Sequence, residues 1–143
     1  GGGLQGTTRG RVLPIPPYSA DFEGYKLTVP HKQETDVKFA YPPLPWIGAR
    51  FKWEVRERDG SKVLAKTLDR LLFQRAMTFI GHPHSTNYTM TADVMTDGNR
   101  RVMSTVGLVH QRYIIALKGN WPQLEVSSNH DRLKVAVPFV WKA

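Results

Sequence analysis

Hydrophobic and polar side chains alternate along several short stretches in the second half of the chain. Residues 88–94 show this most clearly, because every second residue there is apolar. A period of two buries one face of a strand and leaves the other face in water. Similar runs, separated by Gly, Asn, Asp and Ser residues that favour turns, follow at 102–109, 112–117, 124–126 and 133–137. This spacing predicts antiparallel strands arranged as a sandwich or barrel.

The first half of the chain predicts further strands. Residues 46–58 contain one strand in which Phe51, Trp53 and Val55 share a face, and Lys52, Glu54 and Arg56 share the other. Asp59-Gly60 is a hairpin signal, so a paired strand is expected at 62–67. The leucines that follow also fit a helix face, and 68–74 is read as irregular or as one helical turn. Residues 76–80 predict another strand.

These strands together predict a single core. If the alternation holds in all of them, the same faces carry large apolar side chains. The predicted core consists of Phe51, Trp53, Val55, Met90, Ala92, Val94, Tyr113, Ile115 and Leu117.

Composition narrows the possible functions. The chain has 143 residues and no cysteine, which excludes disulfides, thiolate metal sites and a cysteine nucleophile. No run is long and apolar enough to predict a membrane span. The net charge of +8 favours acidic partners such as nucleic acid, anionic glycans or a membrane surface. The basic residues are dispersed, however, and no nucleic-acid-binding motif accompanies them, so the sequence argues against nucleic acid.

The chain resembles one bacterial family from about Tyr18 onward. The matching stretches are 21–24, 46–50, 79–81 and 88–120. As a set they resemble the C-terminal, non-propeller region of the PQQ-binding-like β-propeller repeat proteins. The resemblance implies an all-β jelly roll of the concanavalin or laminin-G type over residues 18–143. Residues 1–17 would then be a flexible tail followed by a proline-rich linker.

The resemblance also implies a setting and a partner. Such a region belongs to an exported bacterial protein, so a periplasmic or extracellular location is expected. The propeller is missing here, so its quinone-like site does not transfer. Related regions continue with more strands where this sequence stops at Ala143, which predicts an open sheet edge. We therefore expect another polypeptide to complete the edge, or the chain to associate with itself.

Two carboxylates are candidates for catalysis. The alternation places Asp93 and Glu125 outward, where they could act as the acid and base of a glycoside hydrolase. The alternative is a solvated polar face on which Arg112 and Lys134 neutralise the acids. Because 124–128 offers a single acidic residue, we expect no hydrolase activity from this chain.

Metal binding has weak support in the sequence. His82, His84, His110 and His130 are candidate zinc ligands, but no third ligand stands at a diagnostic spacing. Asp21 and Glu23 are weak candidates for calcium ligands. Two carboxylates are too few, because calcium binds roughly six to eight oxygen ligands. No cofactor is therefore expected, and calcium is kept as the alternative.

Aromatic residues in predicted loops favour a glycan site. An exposed ring can stack on the C–H groups of a pyranose, and neighbouring polar side chains can bind its hydroxyls. The candidate ligand-binding residues are Trp46, Arg112, Asn120 and Trp121. The alternative is that both tryptophans cap the ends of the core. The sequence thus predicts a non-catalytic accessory module that binds glycan or supports assembly, with a glycoside hydrolase and a structural subunit as alternatives.

Overall fold

The computed structural model describes residues 13–14, 16–50, 52–66, 76–97, 104–119, 121–128 and 133–141. This part of the chain contains eight β-strands and no helix. In chain order the strands are β1 (Val29–Pro30), β2 (Lys38–Phe39), β3 (Trp53–Arg58), β4 (Ser61–Lys66), β5 (Val106–His110), β6 (Tyr113–Lys118), β7 (Gln123–Ser128) and β8 (Leu133–Pro138).

The predicted all-β antiparallel fold is confirmed. The strands form three antiparallel sheets with the orders β1-β2, β3-β4 and β5-β6-β7-β8. Every strand pairs with a neighbour in sequence, so the described pairs are hairpins and a meander. These sheets are consistent with a sandwich, whereas the jelly-roll connections stay a prediction.

The chain divides into two compact units, Gly1–Thr86 and Asn87–Ala143, each described by itself. The first unit contains β1 to β4 and the second contains β5 to β8. Three of the nine predicted core residues belong to the first unit and six to the second. The single domain over 18–143 stays a prediction.

The hairpin of β3 and β4 forms as its turn sequence predicts. Asp59 has φ of 51° and Gly60 has φ of 83°, and a two-residue type I′ turn needs positive φ at both positions. The register runs from Arg58 opposite Ser61 to Trp53 opposite Lys66. The strand expected at 62–67 is therefore present within its described part, and residues 68–74 lie outside the described residues.

Small side chains and Val55 form the buried centre of the first unit. Val55 is fully buried, and Ala40 and Ala49 are nearly so. Ala40 exchanges both backbone hydrogen bonds with Val55, at 2.9 and 2.8 Å, which joins the segment after β2 to β3. Trp53 is half-buried, and Phe51 lies outside the described residues. The strand predicted at 76–80 is reduced to one bridge between Phe79 and Ile47.

The second unit presents one apolar sheet face. The registers place alternate residues of all four strands on the same side. This apolar face consists of Val106, Leu108, Ile115, Leu117, Leu124, Val126, Leu133, Val135 and Val137. The predicted alternation is thus confirmed in the described strands between Val106 and Val137, with strand ends shifted by a few residues, and residues 102–103 lie outside the described part of the chain.

The strand predicted at 88–94 is wrong. The described residues 88–97 contain no strand, Ala92 is exposed and Val94 is 39% exposed. Alternation states a preference for an extended chain, but a strand also needs a neighbour to complete its hydrogen bonds. The described ladders of the sheet join β5 to β8 with one another and leave 88–97 out. Ala92 and Val94 are therefore not core residues.

Candidate functional site

The first unit contains a cavity of about 290 Å³ in the loop before β1. Its lining consists of Tyr18, Ser19, Ala20, Asp21, Phe22, Gly24, Tyr25 and Pro43, and is called the aromatic pocket here. Tyr18 is 45% exposed, so the pocket opens to solvent. Its volume is close to the lower limit of ligand pockets, roughly 300 Å³.

A tight turn brings the aromatic side chains of the pocket together. Tyr25 N donates to Phe22 O at 3.1 Å, and Glu23 N donates to Asp21 Oδ1 at 3.1 Å. The second bond makes an Asx-turn, which a short acidic side chain stabilises. Phe22 adopts φ of 62°, a left-handed conformation that is rare for a bulky residue. Strained conformations of this kind cluster at ligand sites and persist only where surrounding contacts hold them.

Contacts with β4 and with Trp46 hold this turn in place. Lys62 N donates to Glu23 Oε1 at 2.9 Å, and Lys62 Nζ donates to Glu23 O at 2.8 Å. The Phe22 ring packs edge-on against Trp46, with centroids 5.6 Å apart, and lies 6.5 Å from the Tyr25 ring. The turn is therefore fixed on both sides by residues that are distant in sequence.

Two tyrosine residues, Tyr18 and Tyr25, contribute hydroxyl groups to the lining of the pocket. Burial raises the pKa of the Tyr25 hydroxyl above its ordinary value, and the neighbouring Tyr18 adds to the rise. The Tyr18 hydroxyl oxygen accepts a hydrogen bond from Trp46 Nε1 at 3.2 Å, which leaves its own proton for another acceptor. The pocket thus combines aromatic rings, hydroxyl donors and the Asp21 carboxylate, which are the groups that bind a pyranose.

The structure brings one predicted ligand-binding residue, Trp46, to this pocket. Arg112 and Trp121 belong to the second unit, and the six-residue strand β6 separates them, a span of about 20 Å. The Arg112 guanidinium lies 5.9 Å from the Tyr113 ring centroid, and Trp121 is 70% exposed. Asn120 lies outside the described residues. Arg112 and Trp121 therefore do not form one site.

The two candidate catalytic carboxylates have different surroundings. Glu125 lies on β7 with its side chain 12% exposed, and Lys134 Nζ is 3.9 Å from Glu125 Oε2. Asp93 is exposed in the segment 88–97, which is not a strand. The strand geometry that was to place both carboxylates on one face is therefore missing. The Lys134 contact favours the interpretation in which basic side chains neutralise the acids.

Three of the candidate metal ligands, His82, Asp21 and Glu23, accept backbone hydrogen bonds. His82 Nδ1 accepts a hydrogen bond from His84 N at 3.2 Å, and the ring of His110 packs on Tyr88 with centroids 4.7 Å apart. The Oδ1 of Asp21 and the Oε1 of Glu23 each accept a backbone N–H. Within the described residues no group of three or more His, Asp or Glu side chains is arranged to hold a metal ion. His130 lies outside that part of the chain.

Sequence reasoning missed a polar cluster in which His31, Glu34 and Arg56 surround the buried Glu54 carboxylate. The Glu54 side chain on β3 is 4% exposed, and its Oε1 lies 3.3 Å from Arg56 Nε and 3.9 Å from His31 Nε2. Arg56 also pairs with Glu34. His31 Nδ1 accepts hydrogen bonds from the backbone N–H groups of Gln33 and Glu34, at 3.2 and 3.0 Å. The signal in the sequence was Glu54-x-Arg56 on one strand face, which reads equally well as a solvated face.

Comparison with known proteins identifies no relative of this chain. Comparison with protein-family models, with curated proteins and with solved structures finds no match. The described residues also include no helix with the length and apolar character needed to cross a membrane. The resemblance to propeller-associated regions therefore stays a prediction, and any function has to be argued from the geometry of the chain.

Proposed function

We propose that this protein is a non-catalytic module that binds one sugar unit of a glycan in the aromatic pocket. The observation that carries the proposal is the cavity whose lining includes Tyr18, Asp21, Phe22 and Tyr25. Aromatic faces suit the C–H side of a pyranose, and hydroxyl and carboxylate groups suit its edge. A location on an exported bacterial protein, in the periplasm or outside the cell, is proposed from the sequence resemblance alone.

The number of acidic residues in the pocket lining favours binding of a sugar over its hydrolysis. A glycosidase of either stereochemical class needs two carboxyl groups that flank the bond to be cleaved. Among the described residues that line the pocket, Asp21 is the single acid. The pocket can therefore orient a sugar, but it lacks the acid and base pair that would cleave one.

Titration calorimetry with neutral β-linked glucose oligomers tests this proposal. Tyr18→Ala and Phe22→Ala should each weaken binding by about tenfold or more, which is about 1.4 kcal/mol. Trp121→Ala is the matched control, because it removes an exposed tryptophan from the other unit and should leave binding unchanged. Unchanged affinity in both pocket variants would show that the glycan binds elsewhere. Loss of binding in the Trp121 variant alone would place it at Trp121.

A second candidate function is assembly with another chain through β8. This strand is the last in its sheet, and Leu133, Val135 and Val137 are 40 to 51% exposed. Phe139 and Val140 continue the exposed apolar stretch, at 44 and 86%. Edge strands with such side chains are sites of pairing between chains. Sedimentation that changes with protein concentration supports assembly, and a monomer at all concentrations contradicts it.

The backbone of β8 limits how a partner strand can pair. Phe139 N donates to Pro122 O at 2.9 Å, so the odd-numbered residues of β8 point their N–H groups at β7. The outward N–H groups then belong to Lys134 and Ala136, because Pro138 has none. An added strand would find two donors along this edge, and the exposed apolar side chains would supply most of the contact.

A further inference from the structure

We infer that the sugar unit which the aromatic pocket prefers carries a protonated amine, as in a deacetylated amino sugar. This inference rests on the proposed function and specifies its ligand class. The pocket combines one carboxylate, Asp21, with the rings of Tyr18, Phe22 and Tyr25. Aromatic faces attract cations through their quadrupole, and a carboxylate attracts them through its charge.

The charge of the pocket is opposite to the charge of the chain. The whole protein carries +8, which by itself would favour acidic glycans. Among the described residues that line the pocket, however, Asp21 is the single charged side chain. A uronic acid or a sulfated sugar placed there would meet a carboxylate of like charge. An ammonium group would meet an opposite charge at close range, where screening by salt is weakest.

The Asp21 carboxylate is oriented and has bonding capacity left for a ligand. Its Oδ1 accepts the N–H of Glu23 at 3.1 Å, which holds this oxygen within the turn. This is its one hydrogen bond or ion pair among the described residues. A carboxylate has two oxygens with about four lone-pair positions, so Oδ2 can accept from an incoming N–H group. The hydrogen bond to a charged donor is the stronger kind.

The rings favour the same ligand class. Burial raises the pKa of Tyr25, so its ring adds no negative charge to the pocket at neutral pH. The Tyr18 hydroxyl oxygen accepts a hydrogen bond from Trp46 Nε1 at 3.2 Å. A sugar ammonium can contact the carboxylate with its N–H groups while the pyranose C–H face lies on a ring. A neutral sugar can lie on the ring but has no ammonium group to contact the carboxylate, so it should bind more weakly.

Three β-1,4-linked trisaccharides of the same ring configuration test the inference, because they differ only in the group on carbon two. We expect the glucosamine trimer to bind at least about tenfold more tightly than the glucose trimer, with the N-acetylglucosamine trimer near the glucose trimer. Asp21→Asn keeps the acceptor for Glu23 N and removes the charge. It should abolish the preference for the amine, so that the glucosamine and glucose trimers bind this variant with about equal affinity.

Asp36→Asn is the matched control, because it removes one exposed acid from another turn of the same unit and should keep the preference. If all three trimers bind equally and Phe22→Ala weakens them all, the amine preference is wrong and the glycan function stands. If no trimer binds, both fail. A preference for the amine that persists in Asp21→Asn assigns it to another residue and overturns the inference. Tighter binding of choline than of the glucosamine trimer also overturns it, because the pocket would then select a methylated ammonium.

Discussion

Trp46 Nε1 donates a hydrogen bond to the Tyr18 hydroxyl at 3.2 Å, between residues 28 positions apart in sequence. This bond links the loop that contains Trp46 to the first residue of the aromatic pocket. The same indole contacts the ring of Phe22 edge-on. Trp46 therefore contacts two residues of the pocket without lining it. Its part in ligand binding stays a prediction, and these contacts favour a positioning role.

Replacing Trp46 separates its two contacts. Trp46→Phe keeps a ring against Phe22 but removes the donor to Tyr18, so we expect glycan affinity to fall by about threefold to tenfold. The fold should be retained, because one partly exposed hydrogen bond contributes only about 0.5–1.5 kcal/mol. Titration calorimetry and a thermal melt measure the two effects. Tyr18→Phe removes the acceptor of the same bond and is the companion variant. Full affinity in Trp46→Phe would contradict a positioning role for the hydrogen bond.

The raised pKa of Tyr25 predicts that the protein loses stability in alkaline solution. Its pKa is raised in the folded protein, so above the ordinary tyrosine pKa of about 10 the folded state binds more protons than the unfolded state. Stability should therefore not depend on this group below about pH 9, and should fall as the pH rises through the folded pKa. Denaturant unfolding at a series of pH values measures the slope. Tyr25→Phe should reduce the alkaline loss, and an identical slope in that variant would contradict the assignment.

We predict that Arg56 stabilises the folded protein by neutralising the buried carboxylate of Glu54. Arg56→Met leaves Glu54, which is 3% exposed, without its nearest cation, and we expect a loss of roughly 3–5 kcal/mol of unfolding free energy. Glu54→Gln with Arg56→Met removes both charges and should lose less than the single Arg56 variant. Urea unfolding of the wild type, both single variants and the double variant measures the coupling. Additive losses would show that the two charges do not depend on each other.

Local turn and strand signals in the sequence predicted much of the fold. The hairpin at Asp59-Gly60 follows from two residues that accept positive φ, and the meander follows from alternation broken by turn residues. The segment 88–94 failed because alternation cannot specify which strand will be the neighbour. The turn signal and the alternation are both local properties of the sequence. The hairpin is a local structure as well, whereas a strand at 88–94 would have needed a partner from elsewhere in the chain.

The site depends on contacts that sequence patterns do not encode. Trp46 was found because it is an aromatic residue in a predicted loop. Tyr18 was taken as the start of the domain and Phe22 as part of a matching stretch, since nothing local shows that a positive φ at Phe22 turns this segment onto Trp46. The contact between His31 and Glu54 joins a polar loop to a strand, and either residue alone reads as solvated.

Gly107 is predicted to be essential to the four-stranded sheet. A Cβ at this position would lie 2.1 Å from Ile115 O and 2.8 Å from Ala116 Cα, both backbone atoms of β6. Gly107→Ala must therefore push β5 away from β6, and we expect a loss of roughly 2 kcal/mol or more. Gly24→Ala is the control for stability, because a Cβ there meets no atom within 4 Å. Equal melting temperatures for the two variants would show that β5 moves without cost.

Assembly through β8 can be tested by introducing one lysine on either face of the strand. Val135 lies on the apolar face and Ala136 on the opposite one, and both are exposed. If chains associate through the apolar face, Val135→Lys should weaken association by about tenfold or more, because a charge would then be buried without a partner. Ala136→Lys adds the same charge to the same strand and should weaken it less. Sedimentation over a range of concentrations gives both dissociation constants. Equal effects would indicate that net charge controls association, and a wild type that stays monomeric would remove the assembly function altogether.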